Sequence, residues 1–144
     1  MTDSVQVNFL RVCEDAVLPT KGTVGAAAFD LYSRDACTVA PGERSLISTG
    51  WAVGLPAGYE AQIRPRSGLA ARQGVTVLNS PGTIDCDYRG EVKVILANLG
   101  EDDVVISKGD RVAQFVVAPV LPVELIEVDT LDDTERGSGG FGST

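Results

Sequence analysis

The sequence of 144 residues contains no histidine, and only three of its residues are cysteine. Without histidine the chain cannot form Ser-His-Asp or Cys-His catalytic groups, use imidazole as an acid or base, or build a histidine-containing zinc site. Cys13, Cys37 and Cys86 are widely spaced and form no CxxC motif, so neither a disulfide framework nor a thiolate zinc site is expected. Cys86 follows Asp85 and could serve as a nucleophile, but without a histidine partner a structural thiol is the better interpretation.

Long apolar runs and an excess of positive charge are absent too. No apolar stretch approaches the roughly 20 residues that span a bilayer, and no signal-peptide pattern opens the chain, so we expect a soluble, cytoplasmic protein without membrane partners. The formal net charge is −8, whereas a protein that binds nucleic acid needs a basic surface for the phosphate backbone. Nucleic acid is therefore not an expected partner.

The negative charge is unevenly distributed along the chain. As a sum it also disfavours a polyphosphate substrate, but residues 124–136 alone hold six acids and one arginine, a net −5, which leaves −3 for all other residues. The acidity is thus concentrated shortly before the C-terminal end. The charge excludes a binder of nucleic acid backbones but does not exclude a nucleotide substrate.

The residues that are present favour one compact β-rich domain. The chain is 44% hydrophobic and 22% charged and has 16 glycines and seven prolines, a composition typical of short strands joined by tight turns. Only Ser67–Gln73 predicts a helix, of about two turns. Apolar or alternating runs predict strands at Val5–Phe9, Leu46–Val53, Tyr59–Arg64, Val75–Leu78, Glu91–Asn98, Val104–Ser107, Val112–Val117 and Glu124–Val128. Such a series is typical of an all-β sandwich, barrel or jelly roll.

The segment Pro65–Ala70, with the sequence PRSGLA, is a candidate phosphate site. A proline leads into a short helical turn, whose free N–H groups favour an anion. Arg66 and Ser67 would add a fork of donors and a hydroxyl at the same point. An arginine before a helix is common, however, so this segment alone does not establish a function.

The segment Asn79–Gly90, NSPGTIDCDYRG, lies between two apolar runs and predicts a hairpin. Its backbone would present N–H and C=O groups side by side, which is the alternation that a nucleobase edge offers. Asp85 could act as a general base, and Tyr88 could pack against a sugar ring. The plainer alternative is an ordinary hairpin with a solvated aspartate and a packing tyrosine.

Three further segments combine polar and apolar residues in a suggestive way. Ala27–Ser33 carries Asp30 between hydrophobic residues and by itself is best interpreted as an edge strand with a solvated carboxylate. Lys108–Phe115, KGDRVAQF, by itself is a charged turn before a core strand. The glycine- and serine-rich end is typical of a flexible or disordered tail, although Arg136 and Phe141 within it leave a functional role open.

Together and in this order, the five segments resemble the five motifs of the homotrimeric dUTPases (deoxyuridine triphosphate nucleotidohydrolases). The resemblance is carried by PRSGLA, GTIDCDYRGE, KGDRVAQ and RGSGGFGST, and it extends from Ala27 to Thr144. It implies an all-β, jelly-roll or β-barrel-like subunit with one short helix and a flexible Gly-rich C-terminal arm. The catalytic domain would be residues 1–130, and the arm at 131–144 would close over the active site. Self-association as a homotrimer with shared active sites is implied too.

The implied reaction is the Mg²⁺-dependent hydrolysis of dUTP to dUMP and pyrophosphate, which limits uracil in DNA and supplies dUMP for thymidylate synthesis. By the resemblance, Asp85 orients the attacking water and contacts the deoxyribose 3′-hydroxyl, and Tyr88 forms the platform under the sugar. Asp30 would be structural or linked to the metal through water. The Mg²⁺ would be bound mainly by substrate phosphates and water, without direct protein ligands.

The resemblance also implies the other substrate contacts, grouped by the part of the nucleotide that they bind. The uracil pocket would be lined by Asn79, Gly82, Thr83 and Ile84. The phosphates would be bound by Arg66, Ser67, Gly68 and Gln114, and from the tail by Arg136, Gly142, Ser143 and Thr144, while Phe141 stacks on the base.

Two other functions stay open on the residues alone. The related dCTP deaminase shares the scaffold, but Glu91–Leu96, the strand after the hairpin, does not show the glutamate-bearing pattern of that enzyme. A non-catalytic jelly-roll module would normally have lost Asp85 or Arg136, and both are present. Because histidine is absent, a carboxylate is the natural base for the hydrolysis.

Overall fold

The structure is a computed structural model that describes residues 3–143. Within this range the chain forms β1 (Asn8–Arg11), β2 (Phe29–Tyr32), β3 (Cys37–Val39), β4 (Arg44–Gly54), β5 (Tyr59–Arg64), α1 (Ser67–Gln73), β6 (Val75–Val77), β7 (Gly82–Ile84), β8 (Glu91–Asn98), β9 (Val104–Ile106) and β10 (Arg111–Pro119). The fold is therefore all-β with a single short helix in the described residues, and the helix has the predicted bounds.

Two four-stranded sheets and one two-stranded sheet form the jelly roll. The first sheet has the order β1-β4-β8-β6, the second has the order β2-β10-β5-β7, and β3 pairs with β9. All of these pairs are antiparallel. No two neighbouring strands in these sheets are consecutive along the described chain, so each motif is positioned by strands that are distant in sequence.

Alternation of side chains along the strands builds the core between the sheets. In β8, Val92, Val94 and Leu96 are buried, whereas Lys93 between them is exposed. Phe115 of β10 meets Phe9 edge-on, with ring centroids 5.5 Å apart. Each fully buried side chain of this kind contributes about 1.5–3 kcal/mol, which makes the alternating pattern the main determinant of the fold.

The prediction of a strand at Glu124–Val128 is wrong. The described chain has its last strand at β10, and Leu125 and Ile126 beyond it are 92% and 72% exposed. A strand needs an edge to pair with, and none of the described strands pairs with this segment. The first strand also begins later than predicted, at Asn8 instead of Val5.

Helix α1 determines where the PRSGLA segment lies. Arg66 precedes it with an extended backbone (φ −90°, ψ 128°), and Gly74 ends it in the left-handed conformation (φ 68°). A side chain at Gly74 would lie 2.7 Å from the backbone nitrogen of Gly100, so glycine is required for the close turn into β6. Arg66 and Ser67 therefore stand just after the end of β5.

Among the described residues, no helix has the length and apolar character that a membrane span requires.

An ion pair ties the N-terminal loop to the segment after β2. Nε of Arg34 donates to Oδ1 of Asp15 at 2.8 Å, and Nζ of Lys108 lies 3.6 Å from Oδ2 of the same carboxylate. The hydrogen bond from Arg34 holds the pKa of the Asp15 carboxyl below its usual value of 3.8. The Arg34 side chain passes over Gly50, where a larger residue would collide with it.

Candidate active site

The Asn79–Gly90 segment forms the predicted hairpin, and its first arm is β7. This strand pairs with β5 through Gly82 opposite Ile63 and Ile84 opposite Ala61. The chain then turns at Asp85, whose carbonyl accepts a hydrogen bond from the Tyr88 backbone N–H at 3.2 Å. The Arg89 guanidinium closes the turn from outside, since Nη1 donates to the Tyr88 carbonyl at 2.9 Å and to the Cys86 carbonyl at 2.7 Å.

A cavity of about 540 Å³ lies between this hairpin and the outer face of the first sheet. It is lined by Leu46, Ile63, Val77, Asn79, Gly82, Thr83, Ile84, Asp85, Tyr88, Glu91, Val92, Lys93 and Ile95. The set includes six residues to which the resemblance assigns roles in the uracil site, in the sugar site or as the catalytic base. The fold thus brings together Asn79, Gly82, Thr83, Ile84, Asp85 and Tyr88.

The backbone of β7 faces this cavity. Gly82, Thr83 and Ile84 are consecutive and all line it, which places the cavity at an edge of the strand. Since β7 is the last strand of its sheet, that edge has no strand partner in the described chain. A side chain at Gly82 would lie 3.2 Å from Cβ of Ile63 and 3.4 Å from Nδ2 of Asn79, so glycine keeps the cavity open at this point.

Tyr88 and Asp85 lie at the mouth of the cavity. The Tyr88 hydroxyl donates to the Glu91 carbonyl at 3.0 Å, and the side chain is 46% exposed. Asp85 is exposed, so its carboxylate can reach a ligand or a water molecule without first losing a buried partner. The half-exposed ring and the accessible carboxylate are available to a sugar and to a proton, respectively.

The Asp30 carboxylate is the centre of a second cluster. It is buried (6% exposed), and Oδ1 lies 3.5 Å from Nε of Arg66 while Oδ2 lies 3.6 Å from Nη1 of Arg111. Gln114 stands opposite Asp30 on one side and opposite Arg64 on the other. β2 is an edge strand, as the sequence indicates, but the interpretation of Asp30 as solvated is wrong, because the carboxylate is buried between two arginines.

The PRSGLA segment continues this second cluster. Ser67 is exposed and Gly68 is partly buried, and Nη1 of Arg66 donates to the Arg111 carbonyl at 3.4 Å. No pattern in the sequence marks Arg111 as a site residue. Its only signal was its place three residues before Gln114 in KGDRVAQ, and the pairing of β10 with β2 is what brings it to Asp30.

The cavity and the second cluster are formed by different residues of the described chain. None of Asp30, Arg66, Ser67, Gly68 and Gln114 lines the cavity that contains Asp85. The charged residues that do line it are Asp85, Glu91 and Lys93, so the cavity holds two carboxylates and one ammonium group. It therefore offers one cation for an anionic ligand.

The described C-terminal residues form hydrogen bonds among themselves. Nε of Arg136 donates to the Gly139 carbonyl at 2.7 Å, and the Ser143 backbone N–H donates to the Gly140 carbonyl at 3.0 Å. Phe141 is fully exposed, and its φ of 53° is unusual for a residue other than glycine. None of the described tail residues lines the cavity, Gly142 included. Thr144, also predicted to bind substrate, lies outside the described residues.

Metal ligands are not concentrated anywhere in residues 3–143. No group of three or more cysteine or carboxylate side chains in this range could hold a metal ion. The Asp30 carboxylate already faces two guanidinium groups, and Asp85 stands at the open mouth of the cavity. This donor set does not suit a metal caged by protein ligands. It does suit a Mg²⁺ ion that keeps its waters and is held by phosphate oxygens.

Comparison with protein families gives one match over most of the chain. Residues 14–144 match the dUTPase family. A deoxyuridine 5′-triphosphate nucleotidohydrolase from Hydrogenobaculum sp. is 61% identical over 135 residues, which cover 93% of this chain and 94% of the relative. The enzyme of the same name from Nautilia profundicola is 53% identical over 140 residues, with 97% of this chain and 99% of the relative covered.

Solved structures give a concordant result. A mutant of the dUTPase from staphylococcal phage 80alpha superposes with a TM-score of 0.88 at 27% identity, covering all of both chains. The phage 80alpha dUTPase with dUpNHpp superposes with a TM-score of 0.85 at 26% identity, covering 96% of this chain and 98% of the other.

Proposed function

Because the chain belongs to the dUTPase family and is thus a dUTP diphosphatase, we propose that the cavity containing Asp85 binds the uracil and deoxyribose of dUTP. One observation carries this proposal: the cavity joins the free edge of β7, an exposed carboxylate and a half-exposed tyrosine ring. These are the groups that recognition of a base, activation of a water and packing of a sugar require.

Uracil recognition follows from the free edge of β7. Uracil presents an N–H donor between two carbonyl acceptors, and an unpaired strand edge presents N–H and C=O groups at matching intervals. Cytosine would place a donor and an acceptor against groups of the same kind, and each unpaired buried polar group costs about 1–3 kcal/mol. We expect the narrow hairpin to leave no room for a methyl group on the base, so that thymine would be rejected by size.

Asp85 is the base in the proposed reaction. It accepts a proton from a water molecule that attacks the α-phosphorus, the bond between the α-phosphorus and the bridging oxygen breaks, and pyrophosphate leaves. A positioned carboxylate of this kind contributes typically 10²–10⁴-fold to the rate. Its exposed position at the mouth of the cavity lets it contact the 3′-hydroxyl of the sugar as well.

The phosphates are bound by residues of another copy of the chain in the proposed assembly. The Asp85 cavity has Lys93 as its only lining cation among the described residues, whereas Arg66, Ser67, Gly68 and Gln114 lie in the second cluster. Packing of a second copy would place these donors next to the cavity. A homotrimer in which each site combines the cavity of one copy with the second cluster of its neighbour meets this requirement.

The C-terminal arm, residues 131–144, completes the proposed site when substrate is bound. Arg136 would neutralise the terminal phosphate, Phe141 would stack on the uracil, and Gly142, Ser143 and Thr144 would cover the phosphates. The exposed Phe141 ring has no apolar cover of its own in the structure, so stacking on a base would bury it. Closure of this kind excludes water only when substrate is present.

Magnesium fits the proposed site as an ion carried by the substrate. In the proposed assembly, Asp30 and Asp85 would accept hydrogen bonds from its water ligands. When bound, Mg²⁺ would neutralise phosphate charge and so lessen the repulsion between the triphosphate and the cavity's carboxylates. The protein's own contribution is to hold Arg66 in place through Asp30 and to hold the proton acceptor Asp85 at the reacting end.

A substrate panel tests the proposed function. Purified protein with Mg²⁺ is incubated with dUTP, dCTP, dTTP or UTP, and both pyrophosphate and ammonia are measured. Pyrophosphate from dUTP alone is expected. Intact dUTP would contradict the function, and ammonia from dCTP would instead support a deaminase on this scaffold.

A further inference from the structure

Gly90, the last residue of the hairpin turn, lies next to the hydroxyl end of the Tyr88 side chain. A methyl group placed on Gly90 would lie 2.6 Å from Cζ of Tyr88 and 3.0 Å from Cε2, and closer still to the hydroxyl oxygen. Such separations are far below normal carbon–carbon contact of about 3.5–4.0 Å. The ring therefore occupies the space that any side chain at position 90 would fill.

Conformation does not explain why this residue is glycine. The backbone of Gly90 is outside the left-handed region, in contrast to Gly50, Gly58 and Gly74. An alanine would be tolerated by the backbone itself. The one obstacle that the structure shows is the tyrosine ring, which is the flexible partner in the contact and would move first.

The ring is fixed from two sides. Its hydroxyl donates to the Glu91 carbonyl at 3.0 Å, and its hydroxyl end lies in the space that a side chain at position 90 would fill. The remaining surface, 46% of the side chain's full exposure, is directed to solvent and to the cavity. The position of the ring relative to the cavity thus depends on the absence of a side chain at position 90.

We propose that Gly90 is a positioning residue: the absence of a side chain there fixes the position of the Tyr88 ring. Through that position it determines the discrimination between deoxyribonucleotides and ribonucleotides. The inference rests on the proposed function, in which Tyr88 forms the floor of the sugar site. In that function, a ring in this position would leave no space for a 2′-hydroxyl. A displaced ring loses the hydrogen bond to the Glu91 carbonyl and no longer defines that floor.

Fluorine NMR tests the structural half of the proposal without relying on activity. The protein has three tyrosines, Tyr32, Tyr59 and Tyr88, so protein containing 3-fluorotyrosine gives three signals, and Tyr88→Phe identifies the one of interest. Gly90→Ala is expected to shift the Tyr88 signal and to leave the other two in place. An unchanged Tyr88 signal would overturn the proposal, and so would equal shifts of all three signals, which would indicate a global change.

Kinetics test the functional half. The specificity ratio, kcat/KM for UTP divided by kcat/KM for dUTP, is expected to rise about tenfold in Gly90→Ala, since displacements of about 1 Å in a site cost up to a hundredfold. Gly22→Ala is the matched control, because a methyl group there meets no atom within 4 Å. A ratio that stays at the wild-type value while the ring has moved would overturn the role in specificity.

A double-mutant cycle separates positioning from a general effect on the backbone. In the Tyr88→Ala background there is no ring to displace, so adding Gly90→Ala should leave the specificity ratio unchanged. The same factor in both backgrounds would mean that Gly90 acts through the backbone and would overturn the proposal. If the wild-type protein itself did not prefer dUTP to UTP, the proposed role of Tyr88 would fail, whereas the fluorine spectrum would still decide whether Gly90 holds the ring.

Discussion

Oδ1 of Asp30 lies 3.5 Å from Nε of Arg66, which joins a buried carboxylate on β2 to the arginine that precedes α1. Arg111 approaches the other oxygen of the same carboxylate at 3.6 Å. Because Asp30 is only 6% exposed, its charge is poorly screened, and it restrains both guanidinium groups. The side chain that is proposed to bind phosphate is therefore oriented before any substrate arrives.

Asp30→Asn is expected to weaken phosphate binding by releasing Arg66. We expect KM for dUTP to rise about tenfold, a smaller fall in kcat, and a loss of about 1–3 kcal/mol in the free energy of unfolding, because two partly exposed arginines lose their partner. Steady-state kinetics and urea denaturation measure these effects. Asp103→Asn, in an exposed loop, is the control with the same change in charge. Unchanged KM together with unchanged stability would contradict the positioning role.

Asp85→Asn is expected to bind dUTP and to hydrolyse it poorly. The amide keeps the shape of the carboxylate but cannot accept the proton of the attacking water, so kcat should fall by about 10²–10⁴-fold while the Kd for a non-hydrolysable dUTP analogue changes little. Asp87→Asn is a matched control, since Asp87 is an exposed carboxylate on the same turn that does not line the cavity. Wild-type turnover in Asp85→Asn would refute the assignment of the base.

Deletion of residues 136–144 is expected to abolish most turnover and to spare the fold. The described part of this tail is mostly exposed, so Tm should stay close to that of the full chain. Loss of Arg136 alone should lower kcat/KM at least about a hundredfold, by analogy with arginines that neutralise transferred phosphoryl groups. Arg136→Gln in the full chain separates the charge from the rest of the tail. A large fall in Tm on deletion would show that the tail has a structural role instead.

The stability contributed by the pair of Asp15 and Arg34 is expected to disappear in acid. The pKa of Asp15 is lowered in the folded chain from its usual 3.8, so the carboxylate stabilises the folded state above that value and loses the effect as pH falls through the folded pKa. Urea unfolding of the wild type and of Asp15→Asn is compared from pH 7 to pH 3. The difference between them should be present at pH 7 and shrink below pH 4 or so. A difference that does not change with pH would contradict this linkage.

The sequence predicts the parts of this fold that depend on local patterns. Alternation identified β8, because Val94 and Leu96 are buried within one strand, and turn chemistry located the hairpin. Local patterns could not predict the burial of Asp30, which depends on Arg66 and Arg111 from distant parts of the chain. They also suggested a strand at Glu124–Val128, where the apolar residues are present but no described strand pairs with them. The sequence does not predict a role for Gly90, because that role depends on the position of the Tyr88 side chain in the folded hairpin.

Complementation between two inactive variants tests whether a site is shared between copies. The cavity that contains Asp85 and the second cluster, which contains Arg66, are formed by different residues of one chain. A site built from two copies therefore needs an intact Asp85 from one copy and an intact Arg66 from the other. Asp85→Asn and Arg66→Gln chains are each expected to be nearly inactive. When they are unfolded, mixed in equal amounts and refolded, about a quarter of the sites of a random trimer should contain both intact residues. Activity should then recover to about a quarter of that of refolded wild type. No recovery, with a trimer present by light scattering, would show that each chain completes its own site.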